Sequence, residues 1–118
     1  MAANMIYLIP LGEVDRSIME FSRHCVHDAF QLESQISGRQ IDIAQAYDSM
    51  RNQYNSAKLL QEIIVDPPSD ALKVFGITGQ DLFLPIFTFL FGQAQLNGIG
   101  GLLSYFRLDN SFYGLRAD

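Results

Sequence analysis

The sequence predicts an α/β (α+β) domain in which helices pack on a mixed, twisted β-sheet. Three observations support this fold class. Residues 5–11 form a continuous apolar run, which is typical of a buried parallel strand. Apolar residues then recur at three- and four-residue spacing over residues 14–32, as in an amphipathic helix. The last third contains short apolar runs separated by glycine-rich turns, which favour antiparallel strands.

Composition indicates one small folded domain covering residues 1–118. Hydrophobic residues make up 48% of the chain and charged residues only 18%, the opposite of a disordered composition. The net charge of −5, with Lys and Arg scattered, argues against a nucleic-acid partner. The nearly uncharged run over residues 82–103 is long enough to span a bilayer, but its proline, glycines and amides favour buried strands, so we expect no membrane partner.

The first helix has an apolar stripe that we expect to face the sheet. Because Cys25 falls on this stripe, we expect it to be buried as a small hydrophobe. As the only cysteine, it offers no intramolecular disulfide, which favours a cytoplasmic location. The stripe consists of Val14, Ile18, Phe21, Cys25, Ala29 and Leu32.

The middle of the chain predicts a second strand with a loop over residues 32–44 and a polar loop over residues 48–54. Asn55 or Ser56 is placed to cap a second helix, which the prolines after Asp66 end. Further strands are predicted over residues 72–77 and 82–84. The runs 87–95 and 102–108 flank Asn97-Gly98, which predicts a hairpin.

Few residues indicate chemistry. His24 and His27 share one helix face, but a zinc site needs three or four ligands, so we interpret them as solvated surface rather than a metal site. There is no HExxH, CxxC or GxSxG motif. The polar and aromatic cluster at residues 47–55 could shape a binding cleft or be an ordinary ordered connection.

Eight short blocks, taken in order along nearly the whole chain, carry a family resemblance. They include KVFGIT, DLFLP and FLFGQA. The blocks span residues 6–12, 47–48, 51–56, 73–78, 81–85, 89–94, 104–108 and 112–115. Together they resemble archaemetzincins, a metzincin-type branch of zinc-dependent metallopeptidases.

The resemblance implies a metzincin-like N-terminal subdomain that ends before the zinc-binding HExxH helix of the family. It therefore implies no catalytic residue, no metal ligand and no cofactor in this chain, with zinc bound in the full-length family, so we expect this chain alone to be inactive. It also implies that a peptide or protein substrate pairs with an edge strand. The implied substrate-binding residues are Phe87, Thr88, Phe89, Leu90, Phe91, Gly92, Gln93, Ala94, Gln95 and Leu96.

Without a covering helix, the apolar strands should leave a sheet face open, which favours a homo-oligomer. The residues expected to lack packing are Leu82, Phe83, Leu84, Phe87, Phe89, Phe91, Leu102 and Leu103. Two alternatives remain. One is a non-catalytic oligomeric peptide-binding or regulatory module on the same scaffold, and the other is an unrelated α/β domain with a ligand near residues 47–55.

Overall fold

The computed structural model describes residues 3–95 and 98–108, which contain nine strands and two α-helices. The strands are β1 Met5–Leu11, β2 Ser34–Ile36, β3 Tyr47–Asp48, β4 Gln53–Asn55, β5 Ala71–Thr78, β6 Leu82–Leu84, β7 Phe87–Leu90, β8 Gly92–Ala94 and β9 Gly100–Ser104. The helices are α1 Arg16–Phe30 and α2 Ser56–Ile63. Two 3₁₀ turns lie at Ile43–Ala46 and Phe106–Leu108.

Five strands form the main sheet in the order β2-β1-β5-β9-β8. The pairs β1–β2, β1–β5 and β5–β9 are parallel, whereas β8 runs antiparallel to β9 at the edge. The α1 helix connects the first two parallel strands, as parallel pairing requires a crossover. The predicted α/β class with a mixed sheet is therefore confirmed, as is the hairpin formed by β8 and β9.

A second, four-stranded sheet has the order β3-β4-β6-β7, and the expectation of one sheet was wrong. The run 87–95 is not one strand, because the chain pairs with β6 as far as Leu90 and joins β9 from Gly92. The polar loop predicted over residues 48–54 instead carries the β3–β4 hairpin. The last predicted strand also ends early, at Ser104, before the 3₁₀ turn.

The α2 helix covers one face of the main sheet. It begins where the Asn55 Oδ1 accepts a hydrogen bond from the Lys58 amide at 3.2 Å, as the capping signal predicted. Its buried face, Leu59, Leu60 and Ile63, packs in one cluster with Ile9 and Leu11 of β1, Val74 of β5 and Leu102 of β9. This layer therefore spans the centre of the sheet.

The α1 helix covers only part of the opposite face. Its buried residues, Met19 and Val26, pack against Ile6 and Leu8 of β1, and the helix lies over β1 and β2. The expectation that the stripe buries Cys25 was wrong, since Cys25 is exposed and Phe21 is 68% exposed. Because the helix lies to one side of the sheet, the part of the stripe that contains Phe21 and Cys25 adjoins a region of the sheet that no described helix covers.

The set of residues expected to lack packing was partly wrong. Leu82 and Leu102 are buried in the cluster that contains the apolar face of α2. Phe83 is buried with the Arg51 guanidinium over its ring, and Leu84 is half-buried. Phe87, Phe91 and Leu103 are exposed, as predicted. The side chain of Phe89 lies outside what the structure describes. Neither helix within the described ranges has the length and apolarity needed to span a bilayer.

Candidate functional site

Among the strands that the structure describes, β8 lies at the edge of the main sheet and presents an open backbone edge. Its neighbours bond to β9: the Phe91 carbonyl accepts from the Ser104 amide at 2.8 Å, and the Gln95 amide donates to the Gly100 carbonyl at 3.0 Å. In an antiparallel ladder, alternate residues direct their amide and carbonyl groups towards the partner strand. Hence Phe91, Gln93 and Gln95 bond inward, while the amides and carbonyls of Gly92 and Ala94 point to the open edge.

Two side chains fix this edge strand in place. The fully buried Ser56 hydroxyl, at the start of α2, donates a hydrogen bond to Gln93 Oε1. The Gln95 Oε1 accepts from the Gly100 amide at 3.1 Å. The open edge is therefore held from behind by α2 and by β9, which preorganises its backbone groups.

Small residues occupy the two positions whose backbone groups point to this edge. A Cβ at Gly92 would lie 2.7 Å from the Leu102 carbonyl oxygen and 2.8 Å from the Leu103 side chain. The position therefore excludes side chains because the obstructing atom is backbone. Only Ala94, with a single methyl group, follows on the same face of the strand.

An apolar groove of about 830 Å³ runs beside β8. One wall is the exposed part of α1, and the floor is the half of the sheet that no described helix covers. The ring centroids of Phe30, at the end of α1, and Phe75, in β5, lie 6.1 Å apart. None of the described residues that line the groove is charged. The lining includes Phe21, Cys25, Ala29, Phe30, Phe75, Phe91, Leu103 and Leu108.

Asp81, which is buried, ties the two sheets to the turn after β9. Its carboxylate accepts hydrogen bonds from Gln53 at 2.9 Å and from the Arg107 guanidinium. Burial by itself raises the pKa of Asp81, but the hydrogen bonds from Arg107 and Gln53 and the charge of Arg107 outweigh it and hold the pKa below its ordinary value. Because the carboxylate binds one side chain from β4 and one from the turn after β9, its role is to hold these two parts of the fold together.

The polar cluster at residues 47–55 is largely bonded to itself. The Tyr47 hydroxyl donates to Asn52 Oδ1 at 2.6 Å, and its ring lies 5.1 Å from that of Tyr54. The Asp48 carboxylate accepts from the Met50 and Arg51 amides, and Arg51 stacks over Phe83 at 4.4 Å. These contacts order the β3–β4 turn, and a ligand at this cluster stays a prediction.

The histidines do not assemble a metal site with other ligands. His24 and His27 are both exposed on α1, and the His27 Nδ1 lies 4.0 Å from Asp28 Oδ1. Within residues 3–95 and 98–108, no three His, Cys, Asp or Glu side chains are grouped to hold a metal ion. The described residues therefore do not fit a zinc ion.

No family model matches the chain, but individual proteins do. The archaemetzincin of Methanocaldococcus jannaschii is 32% identical over 110 residues, which is 93% of this chain and 59% of that protein. The crystal structure of archaemetzincin from Archaeoglobus fulgidus, complexed with malonate, superposes with a TM-score of 0.75 at 31% identity, covering 92% of this chain and 67% of that one. The chain belongs to the archaemetzincin family.

The chain covers only part of the length of these relatives. It spans 59–62% of the length of the curated archaemetzincins that it matches. A zinc-dependent peptidase from Methanocorpusculum labreanum shares the fold with a TM-score of 0.77 at 24% identity, covering 96% of this chain and 70% of that one. That neighbour shows the shared fold, and this chain matches part of the length of its archaemetzincin relatives.

The structure divides the ten edge residues that the archaemetzincin resemblance implied. Phe87, Thr88, Phe89 and Leu90 form β7 in the second sheet, whereas Gly92, Gln93 and Ala94 form the open edge of the main sheet. Leu96 lies outside the described residues. A glycine inside an apolar run was the available signal for the division. The anchor from Ser56 to Gln93 had no local signal, because it joins residues 37 positions apart.

Proposed function

We propose that this chain is the substrate-holding, N-terminal part of an archaemetzincin-type zinc metallopeptidase, with residues 1–118 forming the subdomain that precedes the zinc-binding helix. The observation that carries the proposal is the open backbone edge at Gly92 and Ala94. An extended peptide can add to such an edge as a further strand, with its main chain supplying the hydrogen bonds.

The chain by itself is proposed to be catalytically incompetent and to bind no zinc of its own. The sequence contains no HExxH motif, and the described residues hold no three grouped metal ligands. A metallopeptidase needs such ligands to bind the ion that activates water. The single cysteine supports a cytoplasmic location, because it offers no intramolecular disulfide.

Peptide binding at β8 alone should be weak. Gly92 and Ala94 offer about four outward backbone groups, and a hydrogen bond contributes about 1 kcal/mol net. Four such bonds amount to about 4 kcal/mol, so the Kd is about 1 mM or weaker, because association also costs translational and rotational freedom. The edge therefore orients an extended peptide, and tight binding needs additional contacts.

An NMR titration of the ¹⁵N-labelled chain with a blocked, uncharged peptide of alternating Thr and Val tests this proposal. We expect the Gly92 and Ala94 amides to shift progressively up to about 5 mM peptide. The same peptide, N-methylated on the amides that face β8, should produce no shifts because its donors are removed. The amides of β2, at the other edge of the sheet, provide the internal control. Shifts confined to β2 or β7, or no shifts at all, would refute peptide pairing at β8.

The second candidate is a non-catalytic oligomeric peptide-binding or regulatory module, which the apolar groove favours. In this form the chain would associate with copies of itself through the open face. Intact-mass spectrometry of the natively expressed protein distinguishes the two candidates. A mass of 13.3 kDa supports the module, whereas a larger protein that contains this sequence supports the peptidase part.

A further inference from the structure

Gln93 directs its side chain to the face of the main sheet that α2 covers. In the β8–β9 register it lies opposite Leu102, and residues paired on neighbouring strands place their side chains on the same face. Leu102 packs with the apolar face of α2. Gly92 and Ala94, its neighbours in the strand, belong to the opposite face. Gln93 is thus the residue whose side chain β8 places on the α2 side.

Ser56 fixes which end of the Gln93 carboxamide is available. The Ser56 hydroxyl is fully buried, so its hydrogen needs an acceptor within the protein, and Gln93 Oε1 is the acceptor to which it bonds. Turning the carboxamide over would place an N–H group against the hydroxyl and take this acceptor away. The hydrogen-bonding capacity that remains therefore lies mainly in the two N–H donors of Nε2. Gln93 is half-buried, so part of its side chain is accessible.

A peptide that adds to β8 places one of its side chains beside this donor group. Gln93 bonds inward to β9, so in an antiparallel addition the peptide residue opposite it forms a non-hydrogen-bonded pair, with Cβ atoms about 5 Å apart. The two side chains stand on the same face and are in contact. The adjacent peptide residues meet no side chain at Gly92 and only a methyl group at Ala94. The position opposite Gln93 is therefore where β8 discriminates between peptide side chains.

The surroundings of this position favour a negatively charged side chain. An N–H donor bonds a carboxylate more strongly than a neutral acceptor. The α2 helix begins at Ser56, so the amino-terminal end of its dipole, which stabilises negative charge, adjoins the Gln93 carboxamide. A Lys or Arg side chain on the peptide would instead bring further donors against the Nε2 donors, and an aliphatic side chain would offer them no acceptor.

We propose that Gln93 is a specificity-determining residue that selects Asp or Glu at the peptide position opposite it. The N–H groups of Nε2 donate to the peptide carboxylate, while Ser56 holds the other end of the carboxamide. This inference rests on the proposed peptide pairing at β8 and names the substrate class, which is extended peptides with an acidic residue at that position. It depends on the α2 face of the sheet and not on the apolar groove.

Two blocked pentapeptides with Thr at the first, third and fifth positions test this selection. The second and fourth residues are both Glu in one peptide and both Lys in the other, and they are N-methylated so that the Thr residues are the ones that pair with β8. An NMR titration of the ¹⁵N-labelled chain in about 0.5 M salt, which screens long-range charge, measures both affinities from the Gly92 and Ala94 amides. The Glu peptide should bind at least about fivefold more tightly, the size of one favourable cross-strand pair.

Two substitutions of Gln93 separate its donors from its size. Gln93→Glu keeps an oxygen for the Ser56 hydroxyl but replaces the N–H donors with a carboxylate oxygen, so it should reverse the preference to the Lys peptide. Gln93→Met, of similar size and without donors, should lower the preference to less than about twofold. Gln35→Glu is the matched control, because it makes the same charge change at an exposed residue of β2, on the other edge of the sheet. It should keep the preference for Glu. The amide spectrum of each variant shows whether it is folded.

The outcomes separate this inference from the proposed function. Shifts at Gly92 and Ala94 with equal affinities for the two peptides, or with tighter binding of the Lys peptide to the unaltered chain, would keep peptide pairing but overturn selection by Gln93. A reversal in Gln35→Glu as large as in Gln93→Glu would also overturn it, because net charge would then be the cause. A preference that persists in Gln93→Met would assign the selection to another group. No shifts with these peptides or with the uncharged Thr and Val peptide would refute the proposed function itself.

Discussion

The guanidinium of Arg107 donates two hydrogen bonds to the carboxylate of Asp81, from Nε to Oδ1 at 3.0 Å and from Nη2 to Oδ2 at 2.8 Å. The Asp81 backbone carbonyl also accepts from the Tyr54 amide at 2.8 Å, so one residue joins β4, β6 and the turn after β9. Such two-point pairing fixes orientation as well as distance. The 3₁₀ turn that ends at Leu108, on the rim of the groove, is held in this way.

Asp81→Asn should lower the free energy of unfolding by about 2 kcal/mol, because it removes the charged acceptor of two hydrogen bonds from the mostly buried guanidinium of Arg107. Urea denaturation at pH 7 measures the change. Asp28→Asn is the matched control, since that side chain is 88% exposed, and it should change stability by less than about 0.5 kcal/mol. Equal effects of the two variants would contradict the structural role of Asp81.

The same carboxylate should make stability depend on pH in the acid range. Its pKa in the folded chain lies below the ordinary value of 3.8, so the unfolded chain binds the proton more readily. Its contribution is therefore complete above pH 3.8 and is lost as the pH falls through the folded pKa. Between about pH 5 and about pH 2.5, the urea midpoint should fall less in Asp81→Asn than in the unaltered chain. Parallel curves would show that other groups dominate acid unfolding.

Ser56→Ala should loosen the β8 edge. The substitution leaves Gln93 Oε1 without its buried donor, at a cost of about 1 kcal/mol in the free energy of unfolding. The Gln95 amide, which bonds to the Gly100 carbonyl, should exchange with deuterium faster than in the unaltered chain. Ser17→Ala, at an exposed position in the first turn of α1, should leave this exchange unchanged. Unaltered exchange in Ser56→Ala would show that β9 alone holds the edge.

Gly100→Ala should destabilise the packing of α2 on the sheet. A Cβ at this position would collide with Ile64 and would lie 3.1 Å from Leu60 Cδ1. Overpacking of this kind costs about 1–3 kcal/mol, measured by thermal or urea unfolding. A Cβ at Gly38 meets nothing within 4 Å, so Gly38→Ala supplies the control. A neutral Gly100→Ala would mean that the end of α2 can move away without cost.

The elements with local signals were predicted closely. The β1 strand coincides with its apolar run, and α2 begins at the Asn55 cap and ends before the prolines. The division of residues 87–95 between two sheets was not predicted. The pairing of β6 with β7 and of β8 with β9 depends on contacts between strands. An apolar run indicates that a segment is buried, but it does not indicate which strand the segment pairs with.

The candidate site shows the same division at the level of single residues. The segment that contains the open edge followed from the family resemblance, but its reduction to Gly92 and Ala94 required the β8–β9 register. Cys25 was assigned to a buried stripe because helical spacing groups it with Ile18 and Phe21. Spacing defines a helix face, but the position of the helix over the sheet decides whether that face is covered.

By itself, the sequence determined the α/β class, the first strand, both helices and the family, because apolar periodicity, caps and ordered blocks are properties of neighbouring residues. The tertiary structure alone decided which of the described strands has an open edge, which half of the sheet the described helices leave uncovered, and which carboxylate joins the two sheets to the turn after β9. Those features arise from contacts between distant residues, such as Ser56 with Gln93 and Asp81 with Arg107, which are 37 and 26 positions apart. A partner at such a distance leaves no mark in the local pattern, so it becomes visible only when the chain is folded.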